Sequence, residues 1–190
     1  MKEDSSHIWE LVKVFLIALA IVVPIRYFLF QPFIVKGDSM VPSFSSGDYL
    51  IIDEISYRFG LPQRGDVIVF KYPKNPMHKF IKRIVGLPGE TVEIKNDQIT
   101  IYSKDGQKQV LDETLYLPSA KGTTYGDLQV ALGEKEYFVL GDNRAYSSDS
   151  RSWGILPEKN IIGKVFIRIF PFAALGRITL PLYQFSNSEI

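Results

Sequence analysis

Hydrophobic and polar positions divide the chain into two unequal parts. From Val14 to Ile25 no position carries a charge or an uncharged polar side chain, and after Arg26 the apolar run resumes at Tyr27–Phe30. A bilayer span takes about 20 predominantly apolar residues. The pattern therefore predicts one transmembrane helix over residues 10–30, with Lys13 and Arg26 reaching for the two interfaces and Trp9, Tyr27 and Phe28 at interfacial depth. Beyond it the apolar runs shorten. An apolar strand follows the Gly47–Asp48 turn, and Val67–Tyr72, Phe80–Val85, Tyr137–Leu140 and Ile162–Phe170 read as further strands rich in β-branched and aromatic residues. Thr91–Ile94 and Ile99–Tyr102 alternate around Lys95-Asn-Asp-Gln98, a hairpin. Ser103 to Lys121 is polar, with a turn at Asp105–Gly106. Gly, Pro and Asp interrupt too often for helices outside the anchor. The expected fold is mostly β: antiparallel strands curled into a barrel or sandwich behind one N-terminal transmembrane helix. The chain then divides into a short N-terminus (1–9), an anchor (10–30) and a β-rich domain (31–190).

Two other accounts of the N-terminal run exist. A cleaved signal peptide starts basic and ends in a small-residue cleavage site. Here Lys2 stands against Glu3, Asp4 and Glu10, and no A-x-A follows the run. A buried helix of a soluble protein is the other alternative. Flanking charge leaves orientation open, with Lys2 and Lys13 on one side and Arg26 and Lys36 on the other.

Composition narrows the chemistry. Hydrophobic residues at 46% and charged residues at 23% suit a packed core, and a net charge of +1 gives no field to gather nucleic acid. The absence of cysteine removes disulfides, thiolate metal sites and a cysteine nucleophile. With only two histidines, a histidine metal cluster is not expected, and no cofactor is called for.

The stretch Phe33-Ile-Val-Lys-Gly-Asp-Ser39-Met-Val-Pro-Ser-Phe44 places a serine between a Gly-Asp turn and a stiffening Pro42. A serine is a nucleophile only if a base takes its proton. His7 precedes the anchor, on the far side of the bilayer, and His78 lies in a breaker-rich loop. Lys82 shares a strand face with Phe80 and Ile84, and such apolar surroundings disfavour its charged form. Taken singly, each residue also fits an ordinary role: Ser39 a loop hydroxyl, Lys82 an edge lysine reaching water, His78 a solvated side chain.

In ordered blocks the chain resembles the type I signal peptidases, membrane-bound Ser-Lys endopeptidases that remove signal peptides from exported proteins. Phe33-Ile-Val-Lys-Gly-Asp-Ser39-Met-Val-Pro-Ser is similar to the nucleophile block. Gly47-Asp-Tyr-Leu-Ile-Ile resembles the strand after it. Arg64-Gly-Asp-Val-Ile-Val-Phe and Lys82-Arg-Ile-Val-Gly-Leu-Pro-Gly-Glu90 resemble the block with the catalytic lysine. Gly141-Asp-Asn-Arg and Ser147-x-Asp149-Ser-Arg151 resemble the block G-D-N-R-D-N-S-x-D-S-R. The resemblance implies Ser39 as nucleophile, its amide as an oxyanion donor, Lys82 as general base and Ser147 holding the amine. Asp142, Asn143, Arg144, Asp149 and Arg151 would support that loop. Phe33, Val35, Met40, Leu50, Val69, Phe80 and Ile81 would line shallow pockets for small residues before the cut. It further implies preprotein signal peptides as substrates, lipid as a partner, proximity to the secretion translocase, and a plasma-membrane protein with its N-terminus in the cytoplasm and its domain outside.

Four positions depart from the pattern. Ala145 and Tyr146 stand where D-N is usual, Ser43 replaces Thr, and Gly37 stands where some members carry an oxyanion-hole serine. Two rival functions are a self-cleaving Ser-Lys protease and a catalytically silent, membrane-tethered binding module.

Overall fold

The computed structural model describes residues 9–20, 30–114, 116–117, 126–181 and 184–186. Residues 9–20 form a helix, α1, whose apolar side chains are exposed, Leu11, Val14, Phe15 and Ile17 among them. Among the described residues no helix is long and apolar enough to cross a membrane. The rest of the expected anchor, residues 21–29, lies outside the described residues. Its expected last residue, Phe30, belongs to a strand instead.

The remaining elements are short. The strands are β1 (Phe30–Ile34), β2 (Tyr49–Asp53), β3 (Val67–Lys71), β4 (Lys79–Gly86), β5 (Thr91–Lys95), β6 (Gln98–Tyr102), β7 (Lys108–Asp112), β8 (Leu128–Ala131), β9 (Glu136–Leu140), β10 (Leu156–Pro157), β11 (Ile161–Phe170), β12 (Gly176–Arg177) and β13 (Gln184–Ser186). Two single-turn helices, α2 (Ser56–Phe59) and α3 (Ser150–Trp153), correct the expectation that helix is confined to the N-terminus. Each is one turn long, below the length at which helical periodicity shows in a sequence.

The strands make an eight-stranded sheet in the order β1-β2-β11-β3-β4-β9-β10, with β12 on β11, and a five-stranded sheet in the order β13-β7-β6-β5-β8. The β5–β6 hairpin turns through Asn96 and Asp97, both at positive φ, as a two-residue primed turn requires. The large sheet is covered on both faces. Val35, Met40, Phe44, Leu50, Ile52, Val69 and Ile81 pack on one. Ile68, Phe70, Ile84, Tyr137, Val139 and Trp153 pack on the other. Each such side chain contributes about 1.5–3 kcal/mol by leaving water.

Strand β4 is central. Its first half pairs only with β3, Lys79↔Lys71 through Arg83↔Val67. From Arg83↔Leu140 onward its second half pairs with β9, Arg83 being shared between the two. At its end a Cβ on Gly86 would lie 2.4 Å from Val92 and 2.9 Å from Phe138. Only glycine lets the strand pass this close to the small sheet's core.

Candidate active site

Two loops and the first half of β4 build the site. After β1 the chain closes a loop, with the Val35 amide donating to Asp48 O (2.9 Å) and the Gly47 amide to Val35 O (3.0 Å). Gly37 turns it at φ 83, a left-handed conformation costly for any residue with a Cβ. A tight turn follows, in which the Phe44 amide donates to Met40 O at 2.8 Å. Met40 and Phe44 anchor that turn in the core and hold Ser39 at its surface. Among the described residues nothing accepts a hydrogen bond from the Ser39 amide.

Lys82 is 3% exposed, and its Nζ lies 2.7 Å from Ser39 Oγ and 2.9 Å from Ile81 O. The amine lies 5.5 Å from the centre of the Phe80 ring. Burial pushes its pKa down to about 8, against the opposing pull of Asp149 and Asp142. A neutral amine offers one lone pair and two N–H groups. The lone pair is in reach of the Ser39 proton, and one N–H is held by Ile81 O. The arrangement can therefore turn a hydroxyl into an alkoxide-like nucleophile close to neutral pH.

The second loop follows β9. Arg83, next to Lys82 on β4, is bidentate to Asp142 (Nε–Oδ1 2.8 Å, Nη2–Oδ2 2.6 Å). Asp149 accepts the Gly141 amide (3.1 Å) and pairs with Arg151 (2.8 Å). The Asn143 amide donates to Ser39 O and its Nδ2 to Asp38 O, both at 3.0 Å. The two loops are thus fastened to each other across the nucleophile. Arg144 donates from Nε to Gly141 O (3.0 Å) and clamps Glu113, whose carboxylate keeps the guanidinium charged. Glu113 escaped the sequence reading because nothing local marks a carboxylate 31 residues from its partner.

Ser147 Oγ is buried and, among the described residues, has no hydrogen-bond partner. The bond expected from it to the Lys82 amine is not formed. The hydroxyl instead packs over Gly141, where a Cβ would lie 2.1 Å from Ser147 Oγ and 2.4 Å from Ser39 O.

A cleft of about 520 Å³ opens over Ser39 and Lys82. Of the expected substrate-binding residues, Phe33, Phe80 and Ile81 line it. Val35, Met40, Leu50 and Val69 do not. They lie in the core layer below, each 1% exposed or less: strand alternation turns Leu50 and Val69 inward, and the loop after β1 carries Val35 and Met40 into the core. The sequence reading missed Ile34, Met77 and Tyr146 on the rim. Strand-edge geometry singles out Ile34, since β1 ends the sheet, and Met77 lies in the turn that leads into β4, which lacks a second partner before Arg83. Lys79 Nζ reaches Gln31 Oε1 across the cleft at 3.3 Å, so the two open edges face each other. His78 lines the same hairpin end of the cleft. Among the described residues no His, Asp and Glu group converges as a metal site would need.

Comparison with known proteins finds relatives of one family. The family model described as "Signal peptidase, peptidase S26" matches residues 8–170. "Probable signal peptidase I-1" of Synechocystis sp. is 36% identical over 181 residues, covering 90% of this chain and 88% of that protein. "Signal peptidase I" of Bacillus amyloliquefaciens is 36% identical over 177 residues, covering 90% of each. The crystal structure of a signal peptidase I from Enterococcus faecalis is 36% identical and covers 55% of this chain and 97% of that one, with a TM-score of 0.48.

Proposed function

This chain belongs to the signal peptidase family, peptidase S26, and from that premise we propose that it removes signal peptides from preproteins with a Ser39–Lys82 pair. The observation that carries the reading is the 2.7 Å contact between a buried amine and the Ser39 hydroxyl. Neutral Lys82 takes the hydroxyl proton as Oγ attacks the scissile carbonyl. The Ser39 amide, without an acceptor among the described residues, donates to the oxyanion. The protonated amine then passes its proton to the leaving amine, and neutral again, Lys82 activates the water that hydrolyses the acyl-enzyme.

The substrate lies extended between β1 and the open half of β4, adding a strand there. Phe33, Phe80 and Ile81 crowd its side chains, so residues before the cut are small, as in A-x-A. The exposed apolar residues of α1, uninterrupted from Val14 to Ala20, support an N-terminal membrane anchor, since a helical stretch apolar on every side needs a lipid or protein partner. In this reading the N-terminus is cytoplasmic, the domain lies outside, and enzyme and substrate meet in one membrane.

A peptide carrying A-x-A tests it. Detergent-solubilised protein cuts the peptide after the second alanine, and Ser39→Ala loses about 10⁴-fold or more in rate while remaining folded. Near-normal cleavage by folded Ser39→Ala overturns the serine mechanism. No cleavage by the wild type is the result a silent binding module would give.

A further inference from the structure

We infer that Tyr146 is a specificity-determining contact for the residues that follow the cut. The inference rests on the peptidase reading above and names a part of its substrate that the small-residue pockets do not reach.

Tyr146 is 82% exposed, yet it lines the cleft with Ser39 and Lys82. Isolated exposed aromatics are common on protein surfaces. This one stands on an unusually well-fastened support. It ends a 3-10 turn, Arg144–Tyr146, whose first residue is buried. The turn is held from three directions. Arg144 bonds Gly141 O and Glu113, the Arg151 guanidinium donates to Arg144 O at 2.7 Å, and the Tyr146 amide donates to Asn143 O at 3.1 Å. Asn143 in turn bonds the backbone of Ser39 and Asp38. The backbone carrying the ring is therefore tied to the nucleophile. Among the described residues the ring has no stacking partner, and no acceptor takes its hydroxyl proton.

Register gives the ring its place along the substrate. Going along β4, Lys79–Ile81 present an open edge, Lys82 carries the amine, and from Arg83 the edge is taken by β9. The loop bearing Tyr146 leaves the end of β9 that pairs with Arg83. A peptide strand on the Lys79–Ile81 edge cannot continue past Lys82 in the sheet. It must leave over that loop. Residues before the cut occupy the Phe33–Phe80–Ile81 side, so those after the cut cross Tyr146. An aromatic face favours apolar side chains, gaining by burial and by edge or face contact. Where the family pattern carries asparagine, this chain thus offers a platform for an apolar residue among the first three after the cut.

The test uses full-length protein in detergent and a peptide set with a fixed A-x-A, each of positions +1 to +3 being alanine or leucine. The readout is the ratio of kcat/KM for leucine over alanine at each position, which is independent of the amount of active enzyme. Wild type should show a ratio of about 5–10 at one position. Tyr146→Phe should keep that ratio, while Tyr146→Ala and Tyr146→Asn should bring it to about one. A ratio that survives Tyr146→Ala, or a wild-type ratio of one at all three positions, overturns the inference and leaves the peptidase reading standing. Failure of the wild type to cut any peptide of the set removes both.

Discussion

Replacing Lys82 by methionine should abolish activity and, at neutral pH, make the fold more stable. The side chain keeps its reach as far as Cε, with sulfur in place of one methylene, and loses the amine. In the native protein burial lowers the amine's pKa from its ordinary 10.5 to about 8. At about 1.4 kcal/mol per unit of pH, that difference amounts to about 3 kcal/mol. The sign follows from proton counts. Between pH 8 and 10.5 the unfolded chain holds the proton and the native chain has released it, so wild-type stability rises with pH across this window. Below pH 8 both states are protonated and the full cost of the buried charge is present. Above 10.5 it is gone. Methionine removes that cost but forfeits the hydrogen bonds to Ser39 and Ile81, at about 1 kcal/mol each. Lys82→Met should thus be about 1 kcal/mol more stable than wild type at pH 7 and about 2 kcal/mol less stable above pH 10.5. Denaturant unfolding followed by the fluorescence of Trp153, which is 8% exposed, measures both. The change of about 3 kcal/mol between the two pH values is the decisive quantity, because the hydrogen-bond loss cancels in it. Wild-type kcat/KM should rise along a limb with its midpoint near pH 8, where a histidine base would place it near about 6.5. A stability difference that stays flat from pH 7 to 10.5, with activity already maximal at pH 6.5, would refute a buried, neutralised amine as the base.

Three further outcomes follow from the packing. Gly141→Ala should cut kcat on the order of 10²-fold or more, because the new methyl collides with Ser39 O and Ser147 Oγ; wild-type kinetics in this variant would show that the two loops separate freely. Glu113→Gln leaves the Arg144 guanidinium buried against a neutral partner and should cost about 3 kcal/mol of stability, read from the denaturant midpoint. Protease added outside intact spheroplasts should digest the domain, whereas digestion only after permeabilisation would reverse the proposed topology.

What the sequence disclosed depended on distance along the chain. Strands with consecutive apolar or β-branched residues, such as Val67–Lys71 and Glu136–Leu140, were legible because both their faces are buried. Strands β7 and β8 were not. Lys108–Asp112 and Leu128–Ala131 are half-exposed and carry only one or two apolar side chains toward the small sheet's core; the first falls in the stretch that reads as polar, and no strand is read at the second. Strand β1 was hidden for the opposite reason, its Phe30 extending an apolar run that looks like anchor. At the site, motif blocks located Ser39 and Lys82 but gave no depth. Met40 and Leu50 carry the same hydrophobic signal as Phe33, yet they lie beneath the cleft floor. The Arg144–Glu113 clamp was invisible because only the folded chain brings its partners together.

The open edge of β4 is four residues long, from Lys79 to the point where β9 takes over. At about 3.3 Å per residue it presents roughly 13 Å of backbone to an extended chain. A ruler of that length reads about four residues, too short a word to pick one site from a proteome on its own. Two filters must therefore act in series. On the function proposed above, a membrane-held enzyme meets only chains that have already entered the bilayer, and the short word then chooses the bond. Such a division lets the preceding apolar segment vary freely in sequence while the cut stays in register. It also predicts that a soluble protein containing the same short word escapes cleavage simply by never arriving.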